Sequence, residues 1–271
     1  MLDTILEVDY DRLWLEQMQG FDHGAGTAEY WDRRSRTFYG SCQNSNYAAE
    51  LMSRMDLRPE YSVLDVGCGC GVMAIPLARR VERVTALDIS SIRLEKLLNK
   101  AAAAGITNIT AINQDWSQAG IGQEIDEHDI VLLSRSVHVR LSETLRKMHL
   151  AARSACYVTW HAERTDDFEV EVAEAMGKSQ PLYPDYSIIY GMLRQMGISA
   201  GIDTFETANQ EKYPSLQEAV LSMARGTRIN DVQYGRLLGI AGNRLTRMDD
   251  GYSLTRKTKW VLISWRNDVR I

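Results

Sequence analysis

The stretch that most constrains the fold is VLDVGCGCG, from Val63 to Gly71. A short apolar run ends in an acid, three glycines follow at alternate positions, and residues 72–81 have the apolar spacing of a helix. Glycine lets the backbone turn tightly and lets a ligand approach closely, because no Cβ is in the way. A strand, a glycine turn and a helix in this order predict an α/β fold with a nucleotide-type ligand site.

A second acid narrows the choice of nucleotide. The run RVTALD ends at Asp88, and an acid at the end of the second strand suits a ribose diol. The glycine pattern is Asp65-x-Gly67-x-Gly69-x-Gly71, whereas a dinucleotide site has G-x-G-x-x-G. Asp65 would repel a pyrophosphate, but it can accept hydrogen bonds from a cationic amino-acid group. An NAD site is therefore the disfavoured alternative.

An acid followed by G-x-G-x-G resembles the first motif of the class I S-adenosylmethionine (SAM)-dependent methyltransferases of the small-molecule type. The resemblance covers roughly residues 60–160. It implies a Rossmann-like, doubly wound, mostly parallel sheet of seven strands with an antiparallel last strand. It also implies SAM as cofactor, S-adenosylhomocysteine as product, and transfer of the methyl group to an unidentified acceptor by direct in-line displacement.

The rest of the chain has the alternation that such a fold needs. Short strands and helices follow one another closely, which predicts right-handed crossovers and a sheet covered on both faces. We expect strands at 61–66, 83–88, 107–113, 128–134, 154–160, 201–207 and 258–265, and helices at 72–81, 91–104, 141–152, 166–177 and 185–197.

Three parts are expected along the chain. Residues 1–58 read as an N-terminal helical lid or cap, and residues 59–208 with 257–271 form the SAM-binding core. In the resembled fold the last two strands are joined by a short connection. Residues 209–256 are therefore interpreted as a helical insertion at the substrate end.

The resemblance assigns cofactor contacts to matching positions. Asp65 and the glycine turn would hold the amino-acid end of SAM, Asp88 the ribose, and Ile89 and Asp115 the adenine. Trp116 is either a ring contact or ordinary core, and Gln114 is a lesser alternative to Asp115. The N-terminal aromatic residues would face the sulfonium as a lid or simply pack on the sheet. The expected cofactor-binding residues are Tyr30, Trp31, Arg34, Asp65, Gly67, Cys68, Gly69, Gly71, Asp88, Ile89, Asp115, Trp116 and Ser134.

Catalytic residues are harder to find, because SAM carries an already activated methyl group and the protein mainly aligns the acceptor. His138 follows the fourth strand and His161 follows the fifth, so either is a candidate general base. A capping or solvated histidine is the alternative at each position. The chain lacks the Asn/Asp-Pro-Pro-aromatic motif of amino-group methylation and the Pro-Cys motif of attack on cytosine.

Composition limits the partners. The formal net charge is −5 and the pI about 5.6, which disfavours a broad contact with nucleic acid. Cys68-x-Cys70 is too closely spaced for a zinc knuckle, so no metal is expected. With no signal peptide and no run of 18 apolar residues, we expect a cytoplasmic protein with a small-molecule substrate and no membrane contact. A homodimer remains open.

Two rival functions remain at this point. One is methylation of RNA or protein, which scattered arginines would support if they formed one face. The other is a SAM-binding protein without turnover, since no base is unmistakable. The arginines that would have to form one face for methylation of RNA or protein are Arg33, Arg34, Arg36, Arg225, Arg228, Arg236, Arg244 and Arg247.

Overall fold

The computed structural model describes residues 8–18, 26–37, 46–136, 138, 140–179, 182–224 and 227–267. Strands and helices alternate through the middle of the chain, as expected. The helices are α1 (Tyr10–Met18), α2 (Ala28–Thr37), α3 (Tyr47–Met52), α4 (Ala74–Ala78), α5 (Ser91–Ala103), α6 (Leu141–Ala151), α7 (Asp167–Met176), α8 (Tyr186–Gln195), α9 (Leu216–Ala224) and α10 (Asp231–Arg244). The strands are β1 (Ser62–Val66), β2 (Arg83–Asp88), β3 (Ile109–Asn113), β4 (His128–Ser134), β5 (Ala152–His161), β6 (Gly201–Tyr213), β7 (Thr246–Met248) and β8 (Gly251–Arg266).

These strands form one sheet in the order β3-β2-β1-β4-β5-β8-β6, with the short β7 paired to β8. Strands β1 to β5 run parallel, and β8 lies antiparallel between β5 and β6. Every residue of β1 is buried, because helices cover both faces of a parallel sheet. The expected fold class is confirmed, with β7 as an additional short strand.

The strand order creates a crevice. The chain leaves β1 towards β2 on one side, whereas β4 lies on its other side, so the connections diverge above β1. Ligands of open α/β sheets bind at such a point, outside the carboxyl ends of the strands. The glycine turn after β1, Asp88 at the end of β2 and the segment after β4 all meet at this edge.

The expected boundaries of the last two long strands are wrong. Strand β6 continues from 207 to Tyr213, and β8 begins at Gly251 rather than near 258, with Tyr213 opposite Tyr252. Residues 209–213 and 251–256 therefore belong to the sheet and not to a helical segment. The sequence does not indicate this extension, because most side chains of β6 are exposed. The strand therefore lacks the apolar alternation that is typical of a half-buried strand.

The helical part between these strands is shorter than the expected 209–256. It comprises α9 and α10, which pack with α7 around a small apolar cluster of their own. Apolar side chains at helical spacing, such as Val220 and Met223 of α9 and Leu237 of α10, bury one face of each helix in this cluster. The division of the chain into lid, core and insertion stays a prediction.

The N-terminal helices pack on the rest of the chain at separate places. Helix α1 packs against α8, and its Trp14 contacts Trp160 of β5 with the ring centroids 5.2 Å apart. Helix α2 lies on α5, and α3 buries Tyr47 beside β6. Residues 1–7, 19–25 and 38–45 of the expected lid lie outside the described residues. No described helix is long and apolar enough to cross a membrane.

Candidate functional site

The turn after β1 requires glycine. Gly67, Gly69 and Gly71 have φ values of +68°, +56° and +83°, which disfavour any residue with a Cβ. A Cβ on Gly67 would lie 2.1 Å from Ser136 Oγ, and a Cβ on Gly71 would lie 2.9 Å from Leu97 Cγ. Space and backbone conformation therefore both favour glycine at positions 67 and 71, and backbone conformation alone favours it at position 69.

Asp88 is held at the wall of the crevice by backbone amides. Its Oδ2 accepts a 2.8 Å hydrogen bond from the Gly69 N–H, and its Oδ1 accepts a 2.8 Å bond from the Ser90 N–H. Ser90 in turn caps α5 by accepting from the Arg93 N–H. The carboxylate thus has a fixed position beside the glycine turn, with lone pairs left for a ligand.

Asp65 lies beneath the same turn and is 1% exposed. Within the described part of the chain, its Oδ2 has no hydrogen-bond partner. Burial, followed by the negative charge of Asp88, raises the pKa of Asp65 to about 7. A buried carboxylate oxygen without a partner costs free energy, so this atom is suited to accept from a cationic ligand group.

A cavity of about 470 Å³ opens over this edge of the sheet. Its lining contains seven of the expected site residues: Trp31, Gly67, Asp88, Ile89, Asp115, Trp116 and His138. The remaining ones, which are Tyr30, Arg34, Asp65, Cys68, Gly69, Gly71, Ser134 and His161, are not among the described residues that line this cavity. Gln114 does line it.

The end of the cavity near β3 contains the expected adenine contacts. Ile89 is half-buried there, and Asp115 Oδ1 accepts a 2.8 Å bond from the Ser117 N–H. Trp116 is 2% exposed and belongs to the main apolar core, while Lys147 Nζ lies 4.7 Å from its ring centroid. Trp116 is therefore a core residue that also lines the cavity, and its contact with the adenine stays a prediction.

Helix α2 brings Trp31 to the rim of the cavity. The Arg93 guanidinium lies 4.1 Å from its ring centroid and donates a 3.0 Å bond to Ser35 Oγ. The ring of Tyr30 meets Trp31 edge-on at 5.0 Å, and Arg34 is exposed. Arg93 therefore positions Trp31 at the rim of the cavity. Nothing in the sequence indicated this role.

The two candidate bases lie in different cavities. His138 Nε2 is 3.1 Å from Ser136 Oγ, and its carbonyl accepts from Trp14 Nε1, so the residue is fixed in the first cavity. His161 lines a second cavity of about 510 Å³ and stacks on Tyr183 at 3.5 Å. Burial lowers the pKa of both histidines to about 4, so both are neutral at pH 7.

Arg135 is a residue that the sequence analysis missed. It lines the first cavity, and its guanidinium lies 4.1 Å from the ring centroid of Tyr47. The Tyr47 hydroxyl is hydrogen-bonded to Ser134 Oγ at 2.8 Å and to Thr159 Oγ1 at 2.6 Å. Ser134, expected at the cofactor, thus positions Tyr47. Spacing gave no signal for this cluster, because its members come from α3, β4 and β5.

Comparison with known proteins agrees with this geometry. Residues 63–155 match the family model described as a methyltransferase domain. A Haemophilus influenzae protein described only as uncharacterized is 27% identical over 98% of this chain and 99% of its own length. The Klebsiella pneumoniae 23S rRNA (uracil(1939)-C(5))-methyltransferase is 33% identical over 92 residues, which are 33% of this chain and 21% of that enzyme.

A solved structure gives the same answer for the fold. Phosphoethanolamine N-methyltransferase 2 from Haemonchus contortus, in complex with phosphomonomethylethanolamine and S-adenosylhomocysteine, superposes with a TM-score of 0.52 at 13% identity. The match covers 82% of this chain and 52% of that one. Fold, crevice and the matched residues 63–155 all agree with a methyltransferase domain. Residues 63–155 carry the match to that domain, and the solved structure that shares the fold holds S-adenosylhomocysteine.

Proposed function

We propose that this enzyme transfers the methyl group of SAM to a small molecule. The observation that supports the proposal is the first cavity, which is of small-molecule size and joins the acidic glycine edge to His138 and Arg135. The cofactor contacts would lie near β1 to β3, and the acceptor would lie beyond them near β4 and β5.

The residues at the glycine edge fit the three parts of SAM. Asp65 offers an unpaired buried oxygen for the ammonium group, and Asp88 offers a fixed carboxylate for the ribose hydroxyls. Asp115 Oδ2, for which no hydrogen bond occurs among the described residues, would accept from the adenine amino group. Bound SAM supplies an electrophilic methyl group, and the chain contributes orientation and exclusion of water. Trp31 would cover the cofactor from α2.

A histidine would lie beside the molecule that receives the methyl group. His138 is neutral at pH 7, and the tautomer that donates from Nε2 to Ser136 Oγ would leave Nδ1 to accept a hydrogen bond from an acceptor group. With a pKa of about 4 it is a weak base, which favours orientation of the acceptor over full deprotonation. His161 would serve an acceptor that reaches from the second cavity. Both roles remain proposals.

Methylation of RNA is the second candidate, favoured by the short match to the rRNA enzyme. Some of the arginines that would have to contact RNA are already paired or are not described. Arg244 is paired with Glu171, and the net charge of the chain is −5. Arg36 has no described side chain, and Arg225 lies outside the described residues. Turnover by this protein, its cytoplasmic location and its assembly as a homodimer are also proposals.

The test is transfer of a labelled methyl group from SAM. The enzyme is incubated with a protein-free metabolite extract, with purified ribosomal RNA, and with neither, and the label is followed into each fraction. We expect label in the metabolite fraction, with release of S-adenosylhomocysteine, and none with Asp88→Ala. Label in RNA would favour the second candidate, and no release from any mixture would favour a protein without turnover.

A further inference from the structure

Arg135 carries a positive charge that no described carboxylate neutralises through an ion pair. Its guanidinium lies over the rings of Tyr47 and Trp260, with centroid distances of 4.1 and 5.7 Å. Such contacts fix the plane of the group and leave its N–H edges available. The charge of Arg135 acts to lower the pKa of Asp65, but the two side chains make no ion pair within the described residues.

The backbone of Arg135 also has a conformation that is uncommon for a residue other than glycine. Its φ is +53°, and Arg135 is the one non-glycine residue with positive φ in the described part of the chain. The Arg135 N–H is bonded to Thr159 Oγ1 at 3.2 Å, which holds the residue in this conformation. Strained non-glycine residues concentrate at functional sites, where the surroundings impose the conformation.

The position of Arg135 separates it from the nucleoside end of the site. Asp88 ends β2, and Ile89 and Asp115 follow β2 and β3, on one side of β1, whereas Arg135 follows β4 on the other side. Trp260, beneath the guanidinium, also packs against His161 at 4.5 Å, and His161 lines the second cavity. Arg135 therefore stands between the first cavity and the second, where an acceptor would lie.

We propose that Arg135 binds an oxyanion of the acceptor, so that the substrate class is a small organic acid with a carboxylate or phosphate group. A guanidinium with a fixed plane suits two parallel hydrogen bonds to such a group. The contact would orient the acceptor against the methyl group. This assignment rests on the proposed function but makes a separate claim, because it concerns the acceptor and not the cofactor.

The test uses binding to the full chain. Wild type, Arg135→Gln, Arg135→Lys and the control Arg12→Gln, at an exposed arginine of α1, are first titrated with S-adenosylhomocysteine and with 5′-methylthioadenosine, which lacks the amino-acid end. Each is then saturated with S-adenosylhomocysteine and titrated with inorganic phosphate and with benzoate. Tryptophan fluorescence reports binding, since Trp260 lies under the guanidinium.

We expect all four proteins to bind S-adenosylhomocysteine within about twofold of one another. The saturated wild type and the control bind phosphate or benzoate, Arg135→Gln weakens that binding at least tenfold, and Arg135→Lys weakens it less. Equal anion binding by Arg135→Gln, or none by wild type, overturns the proposal. Loss of S-adenosylhomocysteine binding in Arg135→Gln, with 5′-methylthioadenosine unaffected, assigns the oxyanion to the cofactor and also overturns it. Failure of wild type to bind S-adenosylhomocysteine would instead contradict the proposed function.

Discussion

The Gly69 N–H donates a 2.8 Å hydrogen bond to the carboxylate of Asp88. This bond ties the turn after β1 to the end of β2, so the two sequence motifs form one rigid wall of the site. The position of the acid therefore depends on the turn, and the turn depends on its glycines. A change at any one of these residues should act on both folding and cofactor binding.

Gly67→Ala should destabilise the fold far more than Gly105→Ala. Both glycines have φ near +67°, but a Cβ on Gly67 meets Ser136 whereas a Cβ on Gly105 meets nothing within 4 Å. We expect a loss of about 1 kcal/mol at Gly105 from the backbone alone and an additional ~1–3 kcal/mol at Gly67 from the clash. Chemical denaturation of both variants measures the difference.

The double variant Gly67→Ala, Ser136→Gly removes the atoms that clash. Relative to Ser136→Gly alone, which already lacks the bond to His138, it should show only the backbone cost. Equal destabilisation by Gly67→Ala and Gly105→Ala would show that the turn tolerates a side chain, contrary to the packing described.

Binding of the cofactor product should release protons from Asp65 near pH 7. In the free protein this carboxyl has a pKa of about 7, so about half of it is protonated there. A ligand ammonium group beside it favours the ionised form and lowers its pKa. Calorimetry with S-adenosylhomocysteine in two buffers of different ionisation enthalpy should therefore show net proton release.

Asp65→Asn provides the control, because the amide cannot titrate. It should bind S-adenosylhomocysteine more weakly and without proton release at pH 7. Proton release that persists in Asp65→Asn would place the titrating group elsewhere.

His161 should make the fold less stable in mild acid. Its folded pKa of about 4 lies below the ordinary value of 6.5, so the unfolded chain binds the extra proton between these values. The stabilising effect of the neutral ring is complete above pH 6.5 and is lost as the pH falls towards 4. Asp65 acts in the opposite direction between about pH 4 and 7, because its folded pKa is raised.

Comparison of variants separates the two groups. His161→Phe keeps an aromatic ring against Tyr183 but cannot titrate, so its Tm should fall less than that of wild type between pH 6.5 and 4.5. Asp65→Asn should fall more steeply than wild type over the same range. Identical slopes for His161→Phe and wild type would mean that His161 titrates normally.

The sequence predicted the parts of the molecule in which local pattern and function coincide. The glycine turn, Asp88 and the parallel core are encoded in short runs, because steric needs and burial act locally there. The exposed arm of β6 and β8 was misread as helical, since its pairing is stabilised by backbone bonds between residues about 40 positions apart. Arg135 escaped notice because its contacts with Tyr47 and Trp260 join distant parts of the chain.

The two histidines show the same limit. Their places after β4 and β5 followed from the strand pattern, but their separation into two cavities depends on side-chain packing that no spacing encodes. The stacking of His161 on Tyr183 is an example, since the two residues are 22 positions apart. The positions of residues at strand ends were therefore easier to predict than the cavities that their side chains line.

The most direct test of the account is a calorimetric titration with SAM and S-adenosylhomocysteine. It compares wild type, Asp88→Asn and the control Asp249→Asn, which changes an exposed acid far along the chain. We expect micromolar binding to wild type and the control. In Asp88→Asn we expect a loss of at least tenfold, since a charged hydrogen bond contributes about 1.5–3 kcal/mol. A folded wild type that binds neither ligand, or an Asp88→Asn variant that binds as well as wild type, would contradict the assignment of this crevice.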